Sequence, residues 1–521
     1  MSKRISALAS PTVSKIKSTS SSRQQSRTQS RTGFAEDDTG AELINEISFG
    51  NLDELLSERL KEVLSLHECQ QQHSSEDIET GLPNVYDLSN STSNNKKKDI
   101  TRIHSIPLIL ATITNKDITT DERKILLQKL YDLVILRPSL EEEYQDEYDY
   151  EMDLLKLLKI FQTAKDQDEL LLAIRALCVF IVTNIDYSTV VFSTDKSINC
   201  FSLLEKKISD QSVSDDVMPQ LIYAYTSLLL CLHDESGGFG LEDNLEFLVS
   251  QLEACAATPL DSQTVLNALV YGIGSTLTLM VSNSKSNEFV ENILEVVADI
   301  LTDIDVLEVI KPIAMLFGLG YELYDYDDEN LDPEDDYTPL PYLNTFSIIS
   351  RLTNLVKSST KKVSKKDKKE GRSVFRDVLK TIEVYSNLQR RQNYLNPSPE
   401  DFESREDLTL SHLKLSKSRS LAVNSWFAFF RLIQLKWLFT SGLHTQLANS
   451  SRIKSTIRDK PSNSYASQFT NNANDASNES YDWKNENVKR EQGKKLQIKL
   501  EKERMAKLNN VIEQQGINTG H

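Results

Sequence analysis

The sequence predicts an all-α protein: an armadillo/HEAT-like α-solenoid with a C-terminal helical domain and disordered basic tails. Helical patterns come in pairs: DLLKLLKIFQ with ELLLAIRALCVFIV, FSLLEKK with MPQLIYAYTSLLLCL, NLEFLVSQLEA with VLNALVYGIGSTLTLM, and FVENILEVVADIL with VLEVIKPIAMLFGLGYEL. The pairs open near Asp153, Phe201, Asn244 and Phe289, a period of about 45 residues that suits repeat units of about 40 to 47. In each pair the second helix is apolar nearly all round, as a helix sandwiched between neighbours must be, while the first keeps a charged face. Only 39% of the 521 residues are hydrophobic, low for a chain globular throughout, so a good part is expected outside any core. A bundle of unrelated helices is the alternative. Either version predicts binding rather than catalysis, and a solenoid offers its long groove to protein partners.

From the N-terminus, residues 1–48 read as a disordered Ser/Arg-rich tail. The opening lacks acids, as an organelle transit peptide does, but shows no amphipathic stripe, and no secretory apolar region follows it. Residues 49–356 form the helical-repeat region. It starts with NLDELLSERLKEVLSL (Asn51 to Leu66), where Leu52, Leu55, Leu56 and Leu60 fall near helical spacing, and carries a disordered insert at about 71–99. A basic lysine-rich loop at 357–372, a C-terminal helical domain at 373–457, a disordered linker at 458–480 and a basic helix at 481–512 complete the chain.

The five cysteines, Cys69, Cys178, Cys200, Cys231 and Cys255, form no CxxC pair and mostly sit in apolar helical patterns. Neither disulfides nor a zinc site is expected, and a reducing compartment fits best. The apolar run LAVNSWFAFFRLIQLKWLF (Leu421 to Phe439) is interrupted by Arg431 and Lys436. Each such charge costs about 2.5 to 3.5 kcal/mol at a bilayer centre, so a buried helix is expected there and no membrane.

The motif patterns of catalysis are absent: there is no HExxH, GxxxxGK[ST] or GxSxG. SGGFG (Ser236 to Gly240) follows a helix rather than a strand and reads as a helix-ending loop, not a phosphate cradle. YDYDDENLDPEDDY (Tyr324 to Tyr337) invites comparison with a calcium loop. It places Asn330 and Asp336 where an EF-hand needs glycine and a bidentate glutamate, so it reads as a solvated acidic loop, as does EEEYQDEYDYE (Glu141 to Glu151). His444, in SGLHTQL, reads as a packed or capping histidine, since no acid or nucleophile stands beside it. No enzyme, cofactor, metal or small-molecule substrate is expected.

Positive charge gathers in two places of a chain whose formal net charge is −18. Lys361, Lys362, Lys365, Lys366, Lys368 and Lys369 precede an amphipathic helix that is expected to start at Ser373, as N-cap, and to bury Phe375, Val378, Leu379 and Ile382. A lysine run before a helix N-terminus opposes the helix dipole, so structure alone explains it poorly. A phosphate-binding patch and a merely soluble loop both remain open. Near the C-terminus, Lys489, Arg490, Lys494, Lys495, Lys499, Lys502, Arg504 and Lys507 surround a broken apolar stripe of Leu496, Leu500, Met505 and Leu508. This segment reads as one that orders against an anionic groove, or as a solvated charged helix.

KKDKKEGRSVFRDVLKTIE, followed by VNSWFAFFRLIQLKWLFTSGLHTQLANSSRI (Val423 to Ile453), resembles the interferon-related developmental regulator family. Arg372, Ser373, Phe375, Arg376 and Asp377 match its RSSFRD-type helix, Ser425 and Trp426 its DSW-type helix, and Gly442, His444 and Leu447 its GSG-H-HL-type segment. IAMLFGLGYEL (Ile313 to Leu323) resembles the end of its armadillo-like region, and residues 373–457 then correspond to its C-terminal domain. The apolar ELGP-type ending is replaced by IRDKPSNSYASQ. The resemblance implies a non-enzymatic regulator whose motif residues are structural. In this family such proteins act either as factors on translationally inactive ribosomes or as transcriptional co-regulator scaffolds in co-repressor complexes. The basic C-terminal segment resembles a tail that enters ribosomal RNA channels, which favours the ribosome, a cytoplasmic location and RNA contacts by both basic clusters. The lysine run leaves nuclear entry open.

Overall fold

The computed structural model describes residues 105–140, 144, 149–192, 199–210, 212–234, 236, 238–257, 263–326, 339–357, 365–395, 408–414 and 420–457, with side chains from Ser373 onward in the 365–395 segment. The Asn51–Leu66 pattern, the 71–99 insert, most of both acidic loops and residues 458–521 lie outside the described residues.

Helices pair throughout: α1 (Ile106–Ile113) with α2 (Thr120–Val134), α3 (Tyr150–Thr163) with α4 (Gln167–Thr183), and α5 (Cys200–Ile208) with α6 (Met218–His233). Then α7 (Glu242–Ala256) pairs with α8 (Gln263–Leu279), α9 (Ser286–Asp303) with α10 (Leu307–Leu323), and α11 (Thr345–Lys357) with α12 (Lys365–Ser386). Each even-numbered helix also packs on the next even-numbered one, so α2, α4, α6, α8, α10 and α12 form a continuous inner layer with their partners outside. This is the expected helical-repeat solenoid.

Local chemistry sets the helix starts. Thr119 and Glu122 close a reciprocal capping box on α2. Asp149, Asp166 and Asn199 accept backbone N–H bonds at the starts of α3, α4 and α5. The burial pattern follows the sequence reading. Every residue from Glu169 to Thr183 of α4 is buried, and so is every residue from Ala268 to Leu279 of α8. The outer helices α7 and α9 bury one stripe each, for instance Leu245, Leu248 and Leu252 on α7. Glycine at 272 serves this layer: a Cβ there would stand 2.7 Å from Thr226 Cγ2 of α6, so the two inner helices approach through the missing side chain.

The chain then continues through α13 (Leu388–Leu395), a hairpin of β1 (Ser411–Lys414) and β2 (Ser420–Val423), α14 (Trp426–Phe439), a 3₁₀ turn (Thr440–Gly442), α15 (Leu443–Asn449) and α16 (Ser451–Thr456). The antiparallel hairpin pairs Ser411 with Val423 and Lys414 with Ser420. Its strands are too short for their alternation to be read from sequence.

Three expectations need correction. First, the helix expected to start at Ser373 is already formed at Lys365, so residues 365–372 are helical rather than loop and Ser373 is no N-cap. Lysine and glutamate are good helix formers, and only Gly371 resists, by about 1 kcal/mol. Second, the boundary expected at 356 falls between the two helices of one pair, α11 and α12: the composition changes there, but the packing does not. Third, the helix at Trp426 was expected to pack with the Ser373 helix onto the last repeat; α14 does meet α10 and α12 there, but it also extends along the inner layer, against α8, α6 and α4.

Candidate nucleic-acid interface

The position of α14 decides which surfaces remain for a partner. Its sequence WFAFFRLIQLKWLF is buried everywhere except at the half-buried Lys436, which burial brings down to about 8. Ser425 caps the helix by accepting the Ala428 N–H at 3.1 Å. The buried carboxylate of Glu322, on α10, accepts the N–H groups of Trp426 and Phe427 at 2.7 and 3.2 Å. A carboxylate placed on the orphan donors of a helix start satisfies both the hydrogen bonds and the dipole.

Polar atoms fix the rest of the register. Trp426 Nε1–H donates to Thr381 of α12 at 2.9 Å, and Trp437 Nε1–H donates to Gln220 of α6 at 2.8 Å. Gln434 accepts from the hydroxyls of Thr226 and Ser227 at 3.0 and 3.1 Å. Arg431 pairs with Asp234, donates to the Thr278 hydroxyl and carbonyl at 2.8 and 3.0 Å, and covers the Phe427 ring at 4.2 Å. At the far end, the Tyr131 hydroxyl of α2 donates to the Leu438 carbonyl at 3.1 Å. Thr440, at φ 40, is a β-branched residue in a region such side chains rarely adopt, and its hydroxyl is held 3.0 Å from that of Tyr131.

The helix therefore runs from the sixth described pair back to the first, and fills the inner face that the sequence reading left open to protein partners. Packing accounts for this seat: an apolar inner layer is covered best by an apolar helix already tethered to it. The charges in the run are explained as well, since Arg431 is paired inside the protein. No helix among the described residues is long and apolar enough to cross a membrane.

The motif residues divide. Phe375 and Trp426 are buried, each about 1% exposed. Gly442 lies against α2, where a Cβ would stand 2.6 Å from the Ile135 carbonyl oxygen. The neighbouring Gln446 donates to the carbonyls of Ile135 and Arg137 at 2.9 and 2.7 Å. Asp377 is half-buried. Burial pushes its carboxyl up to about 7, against Lys380, the Ser373 hydroxyl and Arg376, which all favour the charged form. Two motif residues are not core. His444, expected to be packed or capping, is exposed and meets only the hydroxyl of Thr445, at 3.3 Å, because its turn of α15 faces outward. Arg376 is exposed on α12. The side chain of Arg372 lies outside the described residues.

Of the expected RNA-contacting residues, Lys365, Lys366, Lys368 and Lys369 are in the first turns of α12. Lys361, Lys362 and the C-terminal set from Lys489 to Lys507 lie outside the described residues. Among the described residues no group of three or more His, Cys, Asp or Glu could hold a metal ion. Burial raises the Cys200 and Cys231 thiols to about 12, which leaves them unreactive at neutral pH.

The inner-layer residues that receive α14 were missed in the sequence. The available signal was polar and small residues inside helices apolar all round: Gln220, Thr226 and Ser227 on α6, the Gly272/Gly274 pair on α8, and Gly318, Gly320 and Glu322 on α10.

The fold and this arrangement define a helical-repeat protein whose inner layer is closed by its own C-terminal helix. The profile of the family described as interferon-related developmental regulator matches residues 68–383, more than half of the chain. The chain belongs to the interferon-related developmental regulator family. The Trp426 and Gly442 elements lie beyond the matched span. An uncharacterized protein of Schizosaccharomyces pombe is 28% identical over 238 residues, covering 44% of this chain and 50% of that protein. The chain thus spans about half the length of the curated relative it matches.

Proposed function

We propose that this protein is a non-enzymatic, ribosome-associated regulator in the cytoplasm that binds translationally inactive ribosomes, with its helical array as scaffold and its basic segments on RNA phosphates. The observation that carries this reading is the filled inner face. With α14 seated on α4 to α10, the inner face is already occupied by the chain itself, which favours a reading in which the basic segments rather than that groove make the contacts. An overall charge of −18 does not oppose local contact, because screening at physiological salt acts within about 8 Å. Lysines near a helix N-terminus cost about 0.3 to 1 kcal/mol each when exposed, a cost that an anionic partner would reverse.

Sedimentation of a resting-cell extract through a gradient tests the reading. The protein should travel with ribosomal particles at low salt and leave them as salt rises. Migration at the top of the gradient at every salt concentration would turn the assignment toward a co-regulator scaffold that binds proteins through its outer surface.

A further inference from the structure

Among the described residues the three most exposed large apolar side chains are Leu343, Phe239 and Phe346, at 93, 87 and 83%. Phe239 is the tip of the SGGFG loop between α6 and α7. Gly238 and Gly240 on either side of it take φ 81 and 75, and a Cβ on Gly238 would stand 2.8 Å from the Leu279 carbonyl oxygen. The loop is thus seated on the end of α8 and turns the ring outward. Leu343 precedes α11, and Phe346 lies in its first turn.

These side chains share one rim of the array. α7, α9 and α11 are outer helices, each followed by an inner helix that returns along it, which puts their N-termini beside the C-terminal ends of α6, α8 and α10. Hydrogen bonds join these ends: Asn283, after α8, donates to Glu242 of α7 at 2.8 Å, and Asn287 of α9 donates to the Asp325 carbonyl, after α10, at 2.8 Å. The C-terminal part of the chain leaves the array on the same rim, because Arg431 pairs with Asp234 at the end of α6 and also donates to the Thr456 carbonyl at 3.1 Å. Behind the rim the outer face is acidic. Neither α7 nor α9 contains lysine or arginine, while Asp243, Glu246, Glu253, Glu288, Glu295 and Asp299 are exposed. Acids in a first turn suit the helix dipole, but Glu253, Glu295 and Asp299 lie beyond that turn, where the dipole gives no reason for them.

We propose that this rim is the seat, in the unbound protein, of the chain's own basic segment from Lys489 to Lys507, held by Phe239, Leu343 and Phe346 and by the carboxylates of α7 and α9. Three observations select this occupant. Its eight cations surround Leu496, Leu500, Met505 and Leu508, so it offers apolar groups to the rim and opposite charge to the face behind it. The tether starts at the rim: residues 458–488 reach about 100 Å at most, at about 3.3 Å each, more than the rim requires, and a contact within one chain needs little intrinsic affinity. The spans also agree, since two steps between outer helices cover about 20 Å and Leu496 to Leu508 cover about 18 Å in helical form. The seat itself does not depend on what the segment binds elsewhere; that an RNA polyanion displaces the segment from the rim rests on the ribosome reading.

The test uses the full chain and a water-soluble carbodiimide, which joins a lysine amine to a touching carboxylate as an amide and takes up the water lost, so that the coupled pairs can be located by mass spectrometry. At low protein concentration and low salt, Lys494, Lys495, Lys499 or Lys502 should couple to Glu246, Glu253, Glu288 or Glu295 within the monomer. The Phe239→Ser, Leu343→Ser, Phe346→Ser triple variant changes only exposed side chains, so it should melt like the parent, yet its coupling should fall at least about tenfold. Added salt should lower the parent's coupling as well. Coupling spread evenly over the carboxylates of the array, or unchanged in the triple variant, overturns the proposal. Coupling confined to covalent dimers overturns it in favour of a seat for a second copy, and no coupling from the segment overturns it and leaves the rim to a partner protein. Ribosomes from resting cells should suppress the coupling; coupling that persists in their excess leaves the seat standing and removes the ribosome reading.

Discussion

Glu322 receives the first two backbone N–H groups of the helix that begins at Trp426, at 2.7 and 3.2 Å, from a position 104 residues earlier in the chain. A single buried carboxylate thus docks α14 onto α10 at its positive end. Changing Glu322→Gln keeps the shape but supplies one acceptor where two are needed and turns a donor toward a donor. The variant should lose about 1 to 3 kcal/mol in urea unfolding; an unchanged midpoint would mean that α14 does not depend on this cap.

Trp426 fills the space between α10 and α12, with its indole N–H on Thr381. Replacing Trp426 by Ala should cost about 3 to 5 kcal/mol. A neutral effect on thermal stability would show that the ring is exposed, as a partner contact would be.

Gly274 lies directly under the Phe430 ring, close enough that an added Cβ would overlap it. Alanine improves helix propensity by about 1 kcal/mol, but overpacking at a closed contact costs about 1 to 3 kcal/mol. Gly274→Ala should therefore destabilise, and Phe430→Leu should relieve the clash, so that the double variant is more stable than the sum of the single changes predicts. Simple additivity in that cycle would place the two residues out of contact.

Asp377 gives a pH dependence with a definite sign. Its carboxyl titrates near 7 in the folded protein, mainly because of burial, and near 3.9 when unfolded. Between those values the folded state holds a proton that the unfolded state has released, so this residue's contribution to stability falls as pH rises from about 4 to 7 and stays low above. Asp377→Asn should melt like the parent near pH 4 and above it at pH 8. A difference in melting temperature independent of pH would contradict this.

The repeat architecture was legible because the inner helices α4, α6, α8 and α10 are apolar on every side, a pattern that only sandwiching explains. The same property hid the docking of α14. A helix apolar all round does not say which neighbour covers each side, and the pairing of Arg431 with Asp234 joins residues 197 apart in sequence. The start of α12 was misplaced because apolar periodicity begins at Val374, whereas the lysine-rich sequence before it carries no apolar stripe to mark a helix. His444 was read as packed or capping in the apolar context of SGLHTQL, yet α15 buries Leu443, Gln446 and Leu447 and leaves His444 exposed.

The most direct test of the ribosome reading uses the C-terminal basic segment. Lys494, Lys495, Lys499 and Lys502 are changed together to Glu, and cosedimentation with ribosomes from resting cells is compared with that of the parent across a salt series. The account predicts that the variant leaves the ribosome at salt concentrations where the parent remains bound, with helical signal and melting temperature nearly unchanged. Cosedimentation of the variant as strong as that of the parent would contradict it.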